Sequence, residues 1–153
     1  MLAPELELQM LYTKAIEEAF EAECERRQSE DRQWTFLNFT SNANAYTVAY
    51  AAARYPNLMQ VSRNVRMGLT SEGSYLWPSE MEVLQWINEA NQKTIGVKFV
   101  LKLGQPRSLD VVCTSFLAAD YMIPSSALIA PVLFRSMQQI DDAIRHLKQK
   151  ISR

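Results

Sequence analysis

Histidine occurs once, at His146, and cysteine twice, at Cys24 and Cys113. A single histidine excludes a histidine-rich metal centre. The two cysteines lie far apart, form no CxxC pair, and read as reduced, partly buried thiols. Glycine is scarce, with Gly68, Gly73, Gly96 and Gly104 as the full set. No GxGxxG fingerprint, phosphate-cradling Gly-rich loop or GxSxG elbow can be found. No apolar run approaches the roughly 18 residues that cross a bilayer. The opening MLAPELELQM has no basic segment followed by an apolar one, so no signal peptide is expected and the expected setting is the cytoplasm. Neither charge dominates: 16 Lys and Arg face 17 Asp and Glu, for a net charge of −1. A nucleic-acid binder would carry a basic excess or stripe, and none is present.

What is present is an ordinary globular composition. The chain has 153 residues, 48% of them hydrophobic, which suits one domain over 1–153 with a core of its own. From Pro4 to about Gln28 apolar residues recur at helical spacing, with Leu8, Tyr12, Ala15 and Ala19 on one side. RQSEDRQ breaks that pattern. WTFLNF, YTVAYAAA and LMQVSRNVRM then read as three strands joined by short turns, the first turn carried by Ser41, Asn42 and Asn44. Tyr46, Val48 and Tyr50 alternate on one face, as do Met59, Val61, Val65 and Met67. Pro56 and Asn57 mark a break, and Arg63 interrupts the apolar face. A second helix begins near Ser79, where Ser79 and Glu82 fit a capping box, and runs to about Asn91. Ile95, Val97, Phe99, Leu101 and Leu103 alternate in the clearest strand of the chain. SLDVVCTSFL returns with Leu109, Val111 and Cys113 on one face. The last segment, Ser125 to Ile151, is helical. Its stripe of Leu133, Met137, Ile140, Ile144, Leu147 and Ile151 suits a core or a dimer, and Pro131 marks a kink or the start of its regular part. The order α-β-β-β-α-β-β-α predicts an α+β domain with antiparallel strands.

Chemistry is harder to find. No catalytic, cofactor-binding or metal-ligating residue can be named. His146 stands on the last helix without a local partner motif. Asp141 and Asp142 are adjacent, point about 100° apart on a helix, and read as solvated acids. Asp110 and Asp120 could face a cleft, but nothing in the sequence pairs them. The aromatics Trp34, Phe36, Tyr46, Tyr50, Tyr55, Tyr75, Trp77 and Trp86 read first as core and second as a partner or ligand surface.

The stretch EVLQWINEANQKTIGVKFVLKLGQPRSLDVVCTSFLAA, with SALIAPVLFRSMQQIDDAIRHLKQKI after it, resembles the YbjN family of bacterial proteins. Ile87, Asn88 and Asn91 match the family's helix end. Gly96 and Phe99 match its strand, and Ile129, Leu133 and Asp141 match its last helix. The resemblance covers roughly the C-terminal half. It implies a type III secretion chaperone-like fold with a five-stranded antiparallel sheet, often dimeric. The family is described as candidate sensory-transduction regulators and supplies no catalytic residue. The expected function is therefore a non-enzymatic protein-binding regulator or adaptor acting as a homodimer. The alternatives are a secretion-type chaperone for a secreted protein, and a small-molecule binder or enzyme with an aromatic-lined pocket. Another protein is the expected partner, with no nucleic acid, membrane or cofactor. Leu133, Met137, Ile140, Ile144 and Trp77 are the expected interface, and free strand edges are expected to accept a partner strand. Asn88, Asn91 and Gly96 are expected to form a structural joint. Asn91 would end the helix, Asn88 would bond backbone across the junction, and Gly96 would permit close backbone approach.

Overall fold

The computed structural model describes residues 3–66, 80–93, 96–102 and 108–151. The first helix, α1 (Pro4–Phe20), opens with proline at a position whose N–H would have no helical acceptor. Leu8, Tyr12 and Ile16, four apart, form its buried face. It ends eight residues before the expected limit of Gln28. Glu21 turns left-handed at φ 52°, and its N–H closes on the Glu17 carbonyl at 3.0 Å. The last turn carries no basic residue. Glu17, Glu18 and Glu21 instead crowd the negative end of the helix dipole. Residues Glu25–Gln28 are then free to extend as β1, which pairs antiparallel with β2 (Thr35–Ser41). Cys24 accordingly lies in the connector and not in a helix.

The turn from β2 to β3 (Asn44–Ala51) uses Asn42 and Ala43, both at positive φ. Two left-handed residues twist a hairpin in the sense the strands themselves twist. The β4 strand (Tyr55–Arg66) starts earlier than expected and includes Pro56. Beside it, the β3–β4 register slips between Ala49 and Ala51. Such an irregularity is where a sheet tolerates a residue with no N–H to give. After α2 (Glu80–Lys93), β5 (Val97–Lys102) and β6 (Ser108–Phe116) form a hairpin, and α3 (Ser126–Ile151) closes the chain. The expected cap Ser79 lies outside the described residues. Pro131 is inside α3, near its start.

The result is α+β, with one antiparallel sheet in the order β1-β2-β3-β4-β6-β5. It has six strands rather than the expected five, the addition being β1. One face carries Leu37, Val48, Tyr50, Met59, Val61 and Val111, all essentially without solvent exposure. Alternation alone produces that face. Beneath it pack Leu8, Tyr12 and Ile16 of α1 and Ile129, Leu133, Met137, Ile140 and Ile144 of α3. Tyr12 stacks on Tyr50 with ring centroids 5.0 Å apart. The opposite face is mixed: Asn38, Thr47, Ser62 and Lys98 stand with Val112 in one cross-strand row. Thr47 donates to Asn38 there at 2.7 Å.

Arg63 breaks the apolar alternation of a central strand for a reason. Its guanidinium meets Asp141 of α3 at 3.1 Å and donates to the Asn44 side chain at 2.9 Å. The Tyr46 hydroxyl donates to the same carboxylate, 2.6 and 2.7 Å from its two oxygens. Asp141 is therefore not a solvated acid; it ties the helix to two strands. Burial, followed by the hydrogen bond to Asp141, pushes the Tyr46 phenol up to about 12. A proton held more tightly in the folded chain stabilises it while the unfolded phenol, near ~10, starts to lose its own. That contribution is complete below pH ~10 and fades as pH rises through about 12. Tyr46→Phe is expected to lower stability at neutral pH by ~1.5–3 kcal/mol, the range for a hydrogen bond to a charged group. Its deficit should shrink above pH ~10. Urea unfolding across that range checks both; a deficit that does not change with pH would refute the assignment.

Candidate binding cleft beside the helix-to-strand joint

The joint between α2 and β5 centres on Asn91. Asn91 lies two residues before the end of α2 and does not terminate it. Its amide faces the backbone of Phe99 instead. The Asn91 Nδ2 donates to the Phe99 carbonyl at 3.2 Å, and the Phe99 N–H donates to Asn91 Oδ1 at 2.9 Å. A primary amide presents one acceptor and one donor side by side, as a peptide group does. Asn91 thus stands in for one residue of a neighbouring strand at the edge of β5. The Lys98 ammonium donates to the Asn91 carbonyl at 2.7 Å, placing a cation at the helix C-terminus. Asn88 is exposed, and the bonds seen from the end of α2 to β5 are made at Asn91. Gly96 sits at φ +88°, and a Cβ there would meet only Gln139 Oε1 at 3.8 Å. Backbone conformation, not close approach, requires this glycine.

These bonds alter the expectation about strand edges. The middle of the β5 edge is occupied by Asn91. The opposite edge, β1, is four residues long and reads Glu-Arg-Arg-Gln. Arg26 and Gln28 both donate to Glu5 of α1, at 3.2 and 2.6 Å. Short, charged and covered edges are how sheets avoid accepting another strand.

Pinned in this way, α2 leaves a gap between itself and α3. The gap is a cleft of about 420 Å³. From α2 come Trp86, Ala90 and Lys93, spaced along one helical face. From β5 come Val97 and Phe99, and from α3 come Gln139, Asp142, Ala143, His146 and Leu147. Alanine on both helices, at Ala90 and Ala143, supplies the room that larger side chains would fill. Phe99 and Leu147 belong to the core cluster, so the floor is apolar. Lys93, Gln139, Asp142 and His146 are exposed at the mouth. Asp142 pairs with Arg145 at 3.1 Å. The Cys113 thiol donates to Gln139 Oε1 at 3.5 Å. Among the described residues, no Ser, Thr or Cys lines the cleft.

The other expected residues fall elsewhere. Leu133, Met137, Ile140 and Ile144 are buried against the chain's own sheet, so the stripe serves the core. Trp77 and Tyr75 lie outside the described residues. Asp110 pairs with Lys102 at 3.5 Å on the open sheet face, while Asp120 is exposed beyond the far end of β6. The two acids do not converge. Among the described residues, no three His, Cys, Asp or Glu side chains gather to hold a metal ion. Among them, too, no helix is long and apolar enough to cross a membrane. Tyr46 and Tyr50 are core residues. Phe36 lies under the Arg27 guanidinium, 4.8 Å from ring centroid to charge.

A second surface was not legible in the sequence. Tyr55, Phe116, Tyr121 and Met122 are 49%, 70%, 81% and 58% exposed. Pairing of Leu58 with Phe116 sets the start of β4 beside the end of β6. The Leu117 N–H then bonds the Asn57 carbonyl at 2.7 Å, carrying the chain into the turn that presents Tyr121. Tyr121 itself is left-handed at φ 63°, an unfavourable conformation for an aromatic residue.

No family model and no curated protein matches the chain. Solved structures do. The chain is similar to YbjN, a candidate transcription regulator from E. coli, with a TM-score of 0.61 and 13% identity over 98% of this chain and 96% of that one. It is also similar to an uncharacterized protein from Methanothermobacter thermautotrophicus, with a TM-score of 0.58 and 15% identity over 95% and 96% of the two chains. At these identities the likeness shows the fold alone: the chain has a YbjN-like α+β fold.

Asn91→Ala strips two partners from a part-buried backbone, so a loss of ~1–3 kcal/mol in urea unfolding is expected. Asn88→Ala should stay within ~0.5 kcal/mol, as exposed substitutions do. Equal losses at the two positions would refute the assignment of the joint to Asn91.

Proposed function

We propose that the chain is a non-enzymatic protein-binding regulator or adaptor that acts as a homodimer. The observation that carries this reading is the exposed group Tyr55, Phe116, Tyr121 and Met122. Isolated apolar residues on a surface need no explanation, but tyrosine, phenylalanine and methionine are the side chains enriched at protein interfaces, and these four are left largely exposed. Tyrosine and methionine add contact area and adapt to a partner's shape. The blunted sheet edges favour docking through side chains over strand addition. The regulator half of the reading is supported by the description of YbjN, whose fold this chain shares. The homodimer half rests on the family resemblance of the C-terminal half. A net charge of −1 favours protein over nucleic acid as the partner.

Light scattering behind size exclusion should give the mass of a dimer. Joint replacement of Phe116 and Tyr121 by Ser should shift it to a monomer with an unchanged far-ultraviolet spectrum. A wild-type monomer at every concentration would overturn the dimer. Crosslinking in the source cell should trap a defined second protein on the wild type and lose it with the same double variant. If the variant retains that partner, the docking surface lies elsewhere.

A further inference from the structure

The cleft between α2, β5 and α3 has a composition that the protein-binding reading does not use. Its interior is apolar: Trp86, Ala90, Val97, Phe99, Ala143 and Leu147. The charged and amide side chains among its described lining residues, Lys93, Gln139, Asp142 and His146, are exposed at the mouth. Its volume of about 420 Å³ falls in the ~300–1,000 Å³ range of small-molecule sites. Packed cores leave few gaps of this size, because side chains interdigitate to near-crystalline density. Here the gap persists because both facing helix positions are alanine and because Asn91 holds α2 on the edge of β5.

The charges at the mouth select the ligand. Asp142 is paired with Arg145 at 3.1 Å, which brings a second cation to the same rim. Lys93 forms no ion pair among the described residues, and it stands one side of the opening. Across from it α3 presents the Gln139 amide, whose oxygen is engaged by Cys113 and whose nitrogen is a donor, and the His146 imidazole. An ammonium with no ion pair among the described residues, facing an amide and an imidazole across the opening, matches an anion at the mouth. The Trp86 and Phe99 rings match an uncharged hydrocarbon body below it. We propose that this cleft binds an amphipathic carboxylic acid, with the carboxylate at Lys93 and the apolar body on Val97, Phe99 and Trp86. The binding is non-covalent and requires no chemistry from the chain.

The test uses the full chain and 11-(dansylamino)undecanoate as fluorescent probe, excited through tryptophan. Wild type should show saturable energy transfer with one probe per chain, displaced by decanoate. Lys93→Glu reverses the charge at the mouth of an exposed position and should weaken binding by about tenfold or more, or 1.4 kcal/mol and above. Ala143→Phe should fill the cleft and abolish binding. Should that variant misfold by circular dichroism, Lys93→Glu and Trp86→Phe, which should lose most of the transfer, decide the matter. Three results would overturn the proposal. They are no saturable transfer in wild type, equal affinity in Lys93→Glu, and displacement by 1-decanol as effective as by decanoate. These outcomes are independent of the oligomer and partner experiments, which concern a different surface.

Discussion

One carboxylate sets the rotation of the last helix. Asp141 is held by the Tyr46 hydroxyl and the Arg63 guanidinium, which come from two adjacent strands. An apolar stripe alone restrains a helix loosely about its own axis, since hydrocarbon contact is not directional. Two charge-assisted hydrogen bonds from fixed points on a sheet are directional. They place Leu133, Met137, Ile140 and Ile144 squarely on the core face. Successive residues turn by ~100°, so the same rotation carries Asp142, Ala143 and His146 to the side that borders the cleft. The identity of residue 141 thereby decides what residues 142, 143 and 146 can meet.

A second constraint acts at the other wall. Asn91 supplies the edge of β5 with the donor and acceptor that a neighbouring strand would have supplied. The same two bonds satisfy backbone groups, fix α2 and block the edge. This matters for how the protein can recognise anything. A sheet with free edges binds extended peptides by main-chain pairing, with side chains only tuning the choice. With β5 capped and β1 short and charged, recognition falls to side-chain surfaces, which are more selective of sequence and shape.

Most of the fold could be read from periodicity, and the failures have physical causes. The alternations of β3 and β6, and the stripe of α3, came through because each buries one face of a regular element. The end of α1 did not, because Ala22 and Cys24 carry apolar contact past Phe20, where acidic crowding stops the helix. The β1 strand was hidden because Glu-Arg-Arg-Gln has no apolar face; its partner β2 holds it. Arg63 and Asp141 each looked misplaced or solvated alone. They make sense only as a pair 78 residues apart in sequence, a separation that local pattern cannot see. The cleft was invisible for the same reason. Its walls come from three segments, and its one local sign was alanine where a helix face could have carried something larger.

The two surfaces proposed for binding share a strand but not a face. Cys113 of β6 points toward the helices and reaches Gln139 at the cleft. Phe116 is three residues further along the same strand, and an odd separation puts it on the opposite side of the sheet. An acid in the cleft and a protein docked on Phe116 would therefore not compete for space. Influence between them would need β6 or α3 to adopt two arrangements, and a close-packed sheet face with a clamped helix resists that. On the two proposals made above, each site is readable by substitutions that leave the other intact.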